Sequence, residues 1–495
     1  MISSVATRKR RNMKEETLKE KTAKGLLWGG IHNGIMQLLN LVFGIFLARL
    51  LAPSDYGMIG MLLVFSSVAN TLQESGFKSA LINRKEIRHE DYNAVFWFST
   101  LTGATLYIIL FLCAPLISRF YHQPELTPLA RYLFLSFVIS SMSIPHNALL
   151  VKQMKIRQNA IIGIVSLFIS GVVGVTMAYN GMAYWGIATQ TLTYVFFILV
   201  GRWFFSGWRP SFSFNFKPLK EMIGFSMKIL ASNLITQINN NILTVILGRF
   251  YDSHQVGFFN QANKWKDMGS YTVQGMTNSV TQPVMRQVEE ESERMVRVIR
   301  KMLRFAAFIS MPCMFGLALT APEIITIAIT DKWMESARLL QILCIGGAFA
   351  PIQTLMYNVI ISKERSDICL WNTIAFGIAQ ITVELLCYPY GITTMVWAFT
   401  VMNIVWLAVW WYYVWKLTGL SGWLVLKDIL PFVLIAGGCI LAAGYVASFT
   451  TNIYWSLMVK IAVAVVLYTS VVYLSGAKIF RESIVQLKNM VRKHH

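Results

Sequence analysis

Two short stretches, 200 residues apart, decide the fold: "LARLLAPSDYG" at 47–57 and "LGRFYDSHQVG" at 247–257. Each stretch follows one apolar run and precedes another, so each reads as a corner between two helices. Leu47, Arg49 and Gly57 recur in register as leucine, arginine and glycine at positions 247, 249 and 257. Recurrence at a fixed offset is the sequence signature of an internal repeat. The chain is therefore predicted to contain two copies of one helical unit.

The same offset extends backwards through the apolar run that precedes each corner. Over 31–57 against 231–257, 7 of 27 positions are identical without a gap. Three of these identities are amides, which are rare in membrane spans: Asn33/Asn233, Gln37/Gln237 and Asn40/Asn240. An even number of predicted spans, six, lies between the copies, so both copies enter the membrane from the same side. Transporters built from such parallel repeats place the substrate near the interface of the two halves.

The composition is that of a membrane protein. Of the 495 residues, 55% are hydrophobic and 14% are charged, with a mean hydropathy of +0.52, whereas soluble domains carry about 25% charged residues. A helix needs roughly 20 apolar residues to cross about 30 Å of hydrocarbon. The first apolar run is too long for a signal-peptide core and lacks a cleavage site. Fourteen spans are predicted, at approximately 25–50, 58–83, 92–118, 128–151, 158–179, 182–204, 221–249, 256–283, 299–330, 336–362, 367–388, 391–415, 428–447 and 454–476.

The net charge of +20 follows the predicted topology. When loops are assigned alternately to the two sides, 33 of the 44 lysines and arginines fall on one side, together with both termini. Such asymmetry is the positive-inside pattern of a chain with cytoplasmic termini. The charge therefore indicates orientation in the membrane, and nucleic-acid binding is disfavoured.

These features predict an all-α integral membrane protein of about 14 transmembrane helices, with two parallel-repeat six-helix bundles around a central cavity and two additional C-terminal helices. The predicted regions are a basic cytoplasmic tail (1–24), an N-terminal six-helix bundle (25–206), a cytoplasmic linker (207–220), a C-terminal six-helix bundle (221–415), two extra transmembrane helices (416–476) and a cytoplasmic tail (477–495).

The amides are predicted to line the cavity. At 100° per residue, Asn33, Gln37 and Asn40 fall within an arc of roughly 60° on the first helix. Lipid cannot satisfy amide groups, so such stripes face protein or water. Hydrogen bonding between helices is the alternative for any single amide, but two stripes repeated in register favour a shared polar cavity. The seventh helix carries its own stripe within roughly 120°, namely Lys228, Ser232, Thr236, Asn239 and Asn240.

Four intramembrane lysines are candidates for binding an anionic headgroup: Lys78, Lys228, Lys264 and Lys266. An ammonium offers a point charge to phosphate without the fixed fork of arginine. Internal neutralisation is the alternative for two of them, because Glu74 lies four residues before Lys78 and Asp267 three residues after Lys264. Lys228 and Lys266 have no partner at such spacing, which makes them the stronger candidates.

Four titratable groups within the predicted spans could couple transport to protons or sodium ions: Glu74, Asp267, Glu384 and His146. Intramembrane ionisable residues often mark ion pathways. Arg49 and Arg249 are instead predicted to anchor the corners at the outer surface, where a cation caps the last carbonyls of a helix.

The sequence contains no pattern for catalysis or for a bound metal. It has no Walker A, GxSxG or HExxH motif and no metal-spaced histidine cluster, and its six cysteines are scattered singly through apolar segments. No catalytic residue, metal ligand or cofactor is predicted apart from a coupling proton or sodium ion. The longest inner segment, "RQVEEESERMVRVIRKMLR" at 286–304, is predicted to form an interfacial amphipathic helix between spans eight and nine.

Six stretches of the sequence follow one another in a recognisable order: "FLARLLAPSDYGMIGM" (46–61), "ESGFKSALINRKE" (74–86), "YNAVFW" (92–97), "LGRFYDSHQVGFFNQANKWKDM" (247–268), "QPVMRQVEEESERMVRVIRKMLR" (282–304) and "DKWMESARLLQIL" (331–343). In these stretches and in their order the chain resembles bacterial polysaccharide transporters of the O-antigen and colanic-acid type. This family belongs to the multidrug/oligosaccharidyl-lipid/polysaccharide superfamily, and the resemblance covers roughly residues 20 to 420.

The resemblance implies a flippase rather than an enzyme. It implies that an undecaprenyl-pyrophosphate-linked oligosaccharide moves from the inner to the outer leaflet by alternating access, with the headgroup in the cavity and the lipid tail outside it. The polymerase and glycosyltransferases of the same pathway are the expected partners. Related lipid II flippases use arginines in the cavity. The first two helices here carry no arginine at cavity depth. We therefore hypothesise that the four lysines take the part of these arginines. The alternatives are a cation-coupled multidrug or small-metabolite antiporter of the same fold and a membrane glycan polymerase or ligase, which the short outer loops disfavour.

Overall fold

The computed structural model describes residues 18–74, 81, 88–212, 217–287, 292–475 and 480, and within these ranges the regular elements are helices. A polypeptide within a bilayer must satisfy its own backbone groups, which an α-helix does without a neighbour. In chain order the α-helices are α1 (Leu18–Leu50), α2 (Pro53–Glu74), α3 (His89–Tyr121), α4 (Leu126–Leu133), α5 (Leu135–Ser141), α6 (Ile144–Lys152), α7 (Ile156–Tyr179), α8 (Tyr184–Ser206), α9 (Lys217–Phe250), α10 (Ser253–Gln287), α11 (Ser292–Ile329), α12 (Met334–Gly347), α13 (Ala350–Ser362), α14 (Ser366–Cys387), α15 (Ile392–Thr418), α16 (Gly422–Ala447) and α17 (Ile453–Leu474).

The all-α membrane fold is confirmed. Within the described ranges, ten helical segments are long and apolar enough to cross a membrane, or eleven if the bent run from Leu126 to Lys152 is one span. Helices α2, α9 and α10 are 22, 34 and 35 residues long, and they carry most of the polar residues singled out in the sequence. The count of fourteen spans remains a prediction.

Both corners form as the repeat predicts. Helix α1 ends at Leu50 and α2 begins at Pro53, while α9 ends at Phe250 and α10 begins at Ser253. Asp55 accepts a hydrogen bond from the backbone N–H of Ala52 (2.8 Å), and Asp252 accepts one from Gln255 (2.9 Å). These carboxylates satisfy N–H groups that a helix start leaves unpaired. A two-residue corner thus occurs twice in the same register.

Two predicted spans are interrupted in equivalent ways. The span predicted at 128–151 is divided into α4, α5 and α6, with a bend of 40° before α6. The span predicted at 336–362 is divided between α12 and α13. Pro145 and Pro351 lie in the first turn of the segment after each break, where proline's missing N–H costs nothing. The two breaks are a second trace of the internal repeat.

The residues divide by packing into two units, Met1–Leu51 with Phe65–Leu234, and Ala52–Val64 with Ile235–His495. In the first unit, α7 presents glycines to its neighbours, which lets helices approach closely. The ring of Phe43 lies over Gly171, and the ring of His32 lies over Gly163. The first residues of the predicted linker also pack on this unit: Trp208 Nε1 donates to His89 (3.0 Å), and Ser211 N donates to Asn93 (2.8 Å).

In the second unit, the two C-terminal helices pack on α11. Tyr468 donates a hydrogen bond to the carbonyl of Phe308 (2.8 Å), and Arg300 forms a bidentate pair with Asp428 (2.7 and 3.0 Å). The structure differs from the sequence expectation at 286–304. Residues from Ser292 onward are the first turns of the continuous 38-residue helix α11 rather than a separate interfacial helix, because their buried apolar residues extend the packed face of the span that follows.

Candidate functional site

A polar cavity lies within the second unit, between α10, α12, α13 and α15. It has a volume of about 90 Å³, and we call it the Lys266 cavity. Small residues at the junction of α12 and α13, Gly346, Gly347 and Ala350, leave the room that it occupies. Its polar lining comes from α10, α13 and α15: Lys266, Asp267, Ser270, Gln274, Gln353, Thr400 and Asn403.

Lys266 belongs to a network on its own helix. Its Nζ lies 2.9 Å from Asp267 Oδ1 and donates to Asn263 Oδ1 (2.8 Å), while Asn263 Nδ2 donates to Asp267 Oδ2 (3.3 Å). The aliphatic stem of Lys266 lies against Gly347, where a Cβ would be 3.2 Å from its Cγ. Asn263, Lys266 and Asp267 thus contact one another in a ring, and Lys266 and Asp267 also line the cavity.

This network corrects the sequence-based pairing. The sequence spacing predicts no local partner for Lys266 and offers pairing of Asp267 with Lys264 only as an alternative. Neighbouring side chains diverge by 100° on a helix, but the long lysine stem bends along the surface that Gly347 leaves open and reaches the carboxylate. Lys264 is exposed and lies on another face of α10, so the two lysines do not share one site.

The amides on the first helix are exposed on their own unit. Asn33, Gln37 and Asn40 are each exposed, and no hydrogen bond to their side chains occurs among the described residues. On α9, Asn233 and Asn240 are exposed and Gln237 is half-buried. Their role in binding a headgroup remains a prediction.

Asn239 behaves differently from its neighbour Asn240. Its side chain is buried, lies against Gly377 and donates to the carbonyl of Thr373 at 2.7 Å. The stripe on α9 therefore contains at least one amide that ties α9 to α14, as the hydrogen-bonding alternative anticipates.

The four candidates for ion coupling occupy unlike environments. Glu384 is fully buried; its Oε1 accepts from Gln380 Nε2 (2.8 Å), and its Oε2 has no partner among the described atoms. His146 is also fully buried, with Nδ1 2.9 Å from Ser206 Oγ and its ring packed on Trp203 and Trp208. Asp267 belongs to the Lys266 network. The side chain of Glu74 lies outside the described part of the structure.

Two of the predicted lysines also fall outside what the structure describes. Lys78 lies in the undescribed stretch 75–80, and the side chain of Lys228 is not described although α9 includes its backbone. Arg49 and Arg249 lie in the last turns of α1 and α9, at the predicted corners. Among the described residues, no group of three or more His, Cys, Asp or Glu side chains is arranged to hold a metal ion.

Sequence reasoning missed the part of the cavity wall that comes from other helices. Gln353 on α13 and Thr400 and Asn403 on α15 face Lys266 from about 90 and 135 residues further along the chain. Periodicity places residues on a face of one helix but does not identify the helix opposite. The signal available was the presence of amides within these apolar runs, among them Gln353 in one and Asn403 in the other.

Comparison with solved structures shows which known fold the chain shares. The chain is similar to the lipid II flippase MurJ in an inward closed conformation, with a TM-score of 0.73 and 15% identity over 93% of this chain and 100% of that chain. It is also similar to an inward-facing multidrug resistance MATE family transporter of the MOP superfamily, with a TM-score of 0.64 and 17% identity over 78% of this chain and 95% of that chain. The fold is thus that of a multi-pass membrane transporter.

Comparison with other sequences gives the family. The chain is 25% identical over 358 residues to the lipopolysaccharide biosynthesis protein WzxC of Escherichia coli (strain K12), covering 71% of this chain and 72% of that protein. It is 22% identical over 393 residues to the teichuronic acid biosynthesis protein TuaB of Bacillus subtilis (strain 168), covering 79% and 81%. The family model described as polysaccharide biosynthesis protein matches residues 46–338. The chain belongs to this family, and the resemblance to polysaccharide transporters is confirmed.

Proposed function

We propose that this protein is a flippase that moves an undecaprenyl-pyrophosphate-linked oligosaccharide from the inner to the outer leaflet of the bacterial cytoplasmic membrane. The observation that carries the proposal is the family match over 46–338, which spans both corners and the whole of α2 and contains Lys266. Relatives are named for lipopolysaccharide, teichuronic acid and succinoglycan biosynthesis, the last as a transport protein of Rhizobium meliloti (strain 1021) that is 22% identical. The glycans in these names differ, and we propose that this protein recognises the undecaprenyl-pyrophosphate headgroup and serves assembly of O-antigen, capsule or exopolysaccharide.

The Lys266 network supplies the chemistry for a transient phosphate contact. A pyrophosphate oxygen can replace the Asp267 carboxylate at Lys266 Nζ, so that one charge-assisted contact is exchanged for another. The ammonium is never left without a counter-charge within the membrane, where an unpaired charge is costly. The amides of Asn263, Gln353 and Asn403 offer neutral hydrogen bonds to phosphate or sugar oxygens beside it.

The lysine and arginine distribution supports an orientation with both termini in the cytoplasm. In this orientation the corners at 50–53 and 250–253 face outward. The substrate is moved without chemical change, so we propose a transporter and not an enzyme. The glycosyltransferases that build the repeat unit and the polymerase that extends it are the proposed functional partners.

Glu384 is the proposed group for coupling to a proton or a sodium ion. A buried carboxyl group with one unpartnered oxygen is expected either to hold a proton or to bind a cation, and the unpartnered Oε1 of Gln380 lies on the same helix one turn away. His146 is the weaker candidate because one ring nitrogen is engaged by Ser206 and three aromatic rings enclose it.

The proposal is tested by replacing Lys266 with alanine in a strain that depends on this protein for surface glycan. Loss of a charge-assisted contact predicts that glycan export falls about tenfold or more, while lipid-linked repeat units accumulate in the inner leaflet. Lys427→Ala is the matched control: this lysine also precedes an aspartate, but it is exposed at the start of α16 and lies outside the cavity. Export in this control is expected to be normal.

Normal surface glycan in the Lys266→Ala strain, at an unchanged protein level, would contradict the assignment of the headgroup site. Deletion of the whole protein without accumulation of lipid-linked repeat units would contradict the flippase itself. The similarity to a multidrug transporter makes an antiporter the second candidate. Cation-dependent drug efflux together with unaffected glycan in the deletion strain would favour it.

A further inference from the structure

The two corners meet within the second unit through glycines at equivalent positions of the repeat. A Cβ built on Gly57 would lie 1.8 Å from the carbonyl oxygen of Ser253, and one built on Gly257 would lie 1.8 Å from the carbonyl oxygen of Pro53. Each carbonyl belongs to the first residue of the other helix, and Pro53 and Ser253 are themselves 200 residues apart. The contact is therefore reciprocal and follows the repeat register.

The close contact between α2 and α10 continues one turn further along both helices. A Cβ on Gly60 would lie 1.7 Å from Asn260 Nδ2, and these residues are again 200 apart. Here one copy supplies the glycine and the other supplies the side chain that covers it. Met58 and Val256, which follow and precede the two central glycines, are buried at 4% and 0% exposure. The ring of Trp333 packs edge-on against Tyr56 of α2 and Phe258 of α10.

A backbone-to-backbone contact of this kind has no room to adapt. The obstacle to a side chain at Gly57 or Gly257 is a main-chain carbonyl and not the end of a flexible side chain, so a methyl group there must separate the helices. Packed interfaces tend to have discrete arrangements rather than continuous ones. Equivalent elements of a parallel repeat are also the elements expected to move against each other in a transporter.

We propose that Gly57 and Gly257 form a reciprocal contact that closes the two corners on each other, and that this contact opens during each transport cycle. The opening rests on the proposed flippase function, whereas the closing is a property of the contact itself. Gly57 and Gly257 are positioning residues, because they set how far α2 and α10 can approach.

The test measures how accessible the contact is to a membrane-impermeant maleimide, in cells and in inside-out vesicles. Each alanine substitution is combined with a reporter cysteine on the opposite helix, whose labelling is measured: Gly57→Ala with Val256→Cys, and Gly257→Ala with Met58→Cys. Both alanine variants are expected to raise labelling of the reporter about tenfold, the population shift that a typical overpacking penalty produces. Labelling of the native cysteines in the parent protein is the blank.

Two further glycines give a graded control series. Gly60→Ala is expected to have a smaller effect, because its obstacle is the movable end of the Asn260 side chain. Gly437→Ala on α16 is expected to have none, because a Cβ there meets nothing within 4 Å among the described atoms. A general loss of stability would raise labelling in this series without following the order of the obstacles, which would overturn the proposal.

Opening during transport is tested without any alanine variant. With both glycines intact, labelling of Val256→Cys is compared between cells that make lipid-linked repeat units and cells that lack the first glycosyltransferase. A difference of twofold or more between the two strains is expected if the contact opens with turnover, and equal labelling would overturn this part. Normal export in Lys266→Ala would instead contradict the proposed headgroup site and leave the labelling result standing.

Discussion

Two acidic groups of the second unit, Asp267 and Asp428, both lie next to a lysine in sequence, yet they use their charges in opposite ways. Asp428 pairs not with Lys427 but with Arg300 and Arg304 on α11, which are 128 and 124 residues away in sequence. Asp267 binds Lys266 beside it and Asn263 one turn back. The first arrangement ties two helices together, whereas the second stays within one helix and presents its polar groups to a cavity.

The difference teaches how to separate structural from functional charges in a membrane protein. An ion pair between helices that is buried on its acidic side, such as Asp428 at 4% exposure, fixes a packing arrangement. A pair within one helix whose members are 18% and 29% exposed can exchange partners without moving that helix. Lys460 and Glu323 form a further pair of the first type, between α17 and α11, where Ser456 also donates to the carboxylate (3.0 Å).

The largest effect on stability is expected from Asp428→Ala. Removing one partner of a buried ion pair leaves the other charge uncompensated and typically costs 3–5 kcal/mol. Because Arg300 and Arg304 are 27% and 34% exposed, about 3 kcal/mol of unfolding free energy is expected to be lost. Thermal unfolding of the purified protein in detergent measures this loss. A melting temperature equal to that of Lys427→Ala would break the comparison, since Asp428 would then not tie the helices.

A smaller effect on stability, but a specific one on binding, is expected from Asp267→Asn. The pair is 18% and 29% exposed and Lys266 keeps its contact with Asn263, so about 2 kcal/mol of unfolding free energy is expected to be lost, less than for Asp428→Ala. Loss of the carboxylate releases the Lys266 ammonium for an anionic ligand, and affinity for a pyrophosphate-linked lipid is expected to rise. Binding to the purified protein, measured beside its melting temperature, checks both parts. Unchanged affinity would mean that Asp267 and the headgroup do not compete for Lys266.

The sequence predicted the repeat, its register and both corners because these are local properties. A polar residue among apolar ones, or a corner recurring at a fixed offset, is visible without any knowledge of packing. Lys264 and Lys266 show where such reasoning stops. Spacing on a helix offers Lys264 as a partner for Asp267, whereas in the structure Asp267 pairs with Lys266, whose stem lies against Gly347 on α12.

The Lys266 cavity could not be predicted for the same reason. Its wall is formed where α10, α12, α13 and α15 meet, and helix pairing over such distances in sequence is not encoded by periodicity. The division of the predicted fourth and tenth spans was equally hidden, although Pro145 and Pro351 mark the start of the segment after each break. A proline in an apolar run signals a break but does not show which break the packing will use.

The smallest expected effect extends the comparison to uncharged groups. Asn239→Ala removes the hydrogen bond from α9 to the carbonyl of Thr373 on α14 and should cost about 1 kcal/mol of unfolding free energy. Asn240→Ala, one residue later, alters an exposed amide and should leave the melting temperature unchanged. If the exposed stripe lines a substrate cavity, Asn240→Ala should instead reduce glycan export at unchanged stability. Equal stability losses in both variants would show that the amides on α9 all serve packing, and the cavity would then have to be sought around Lys266 alone.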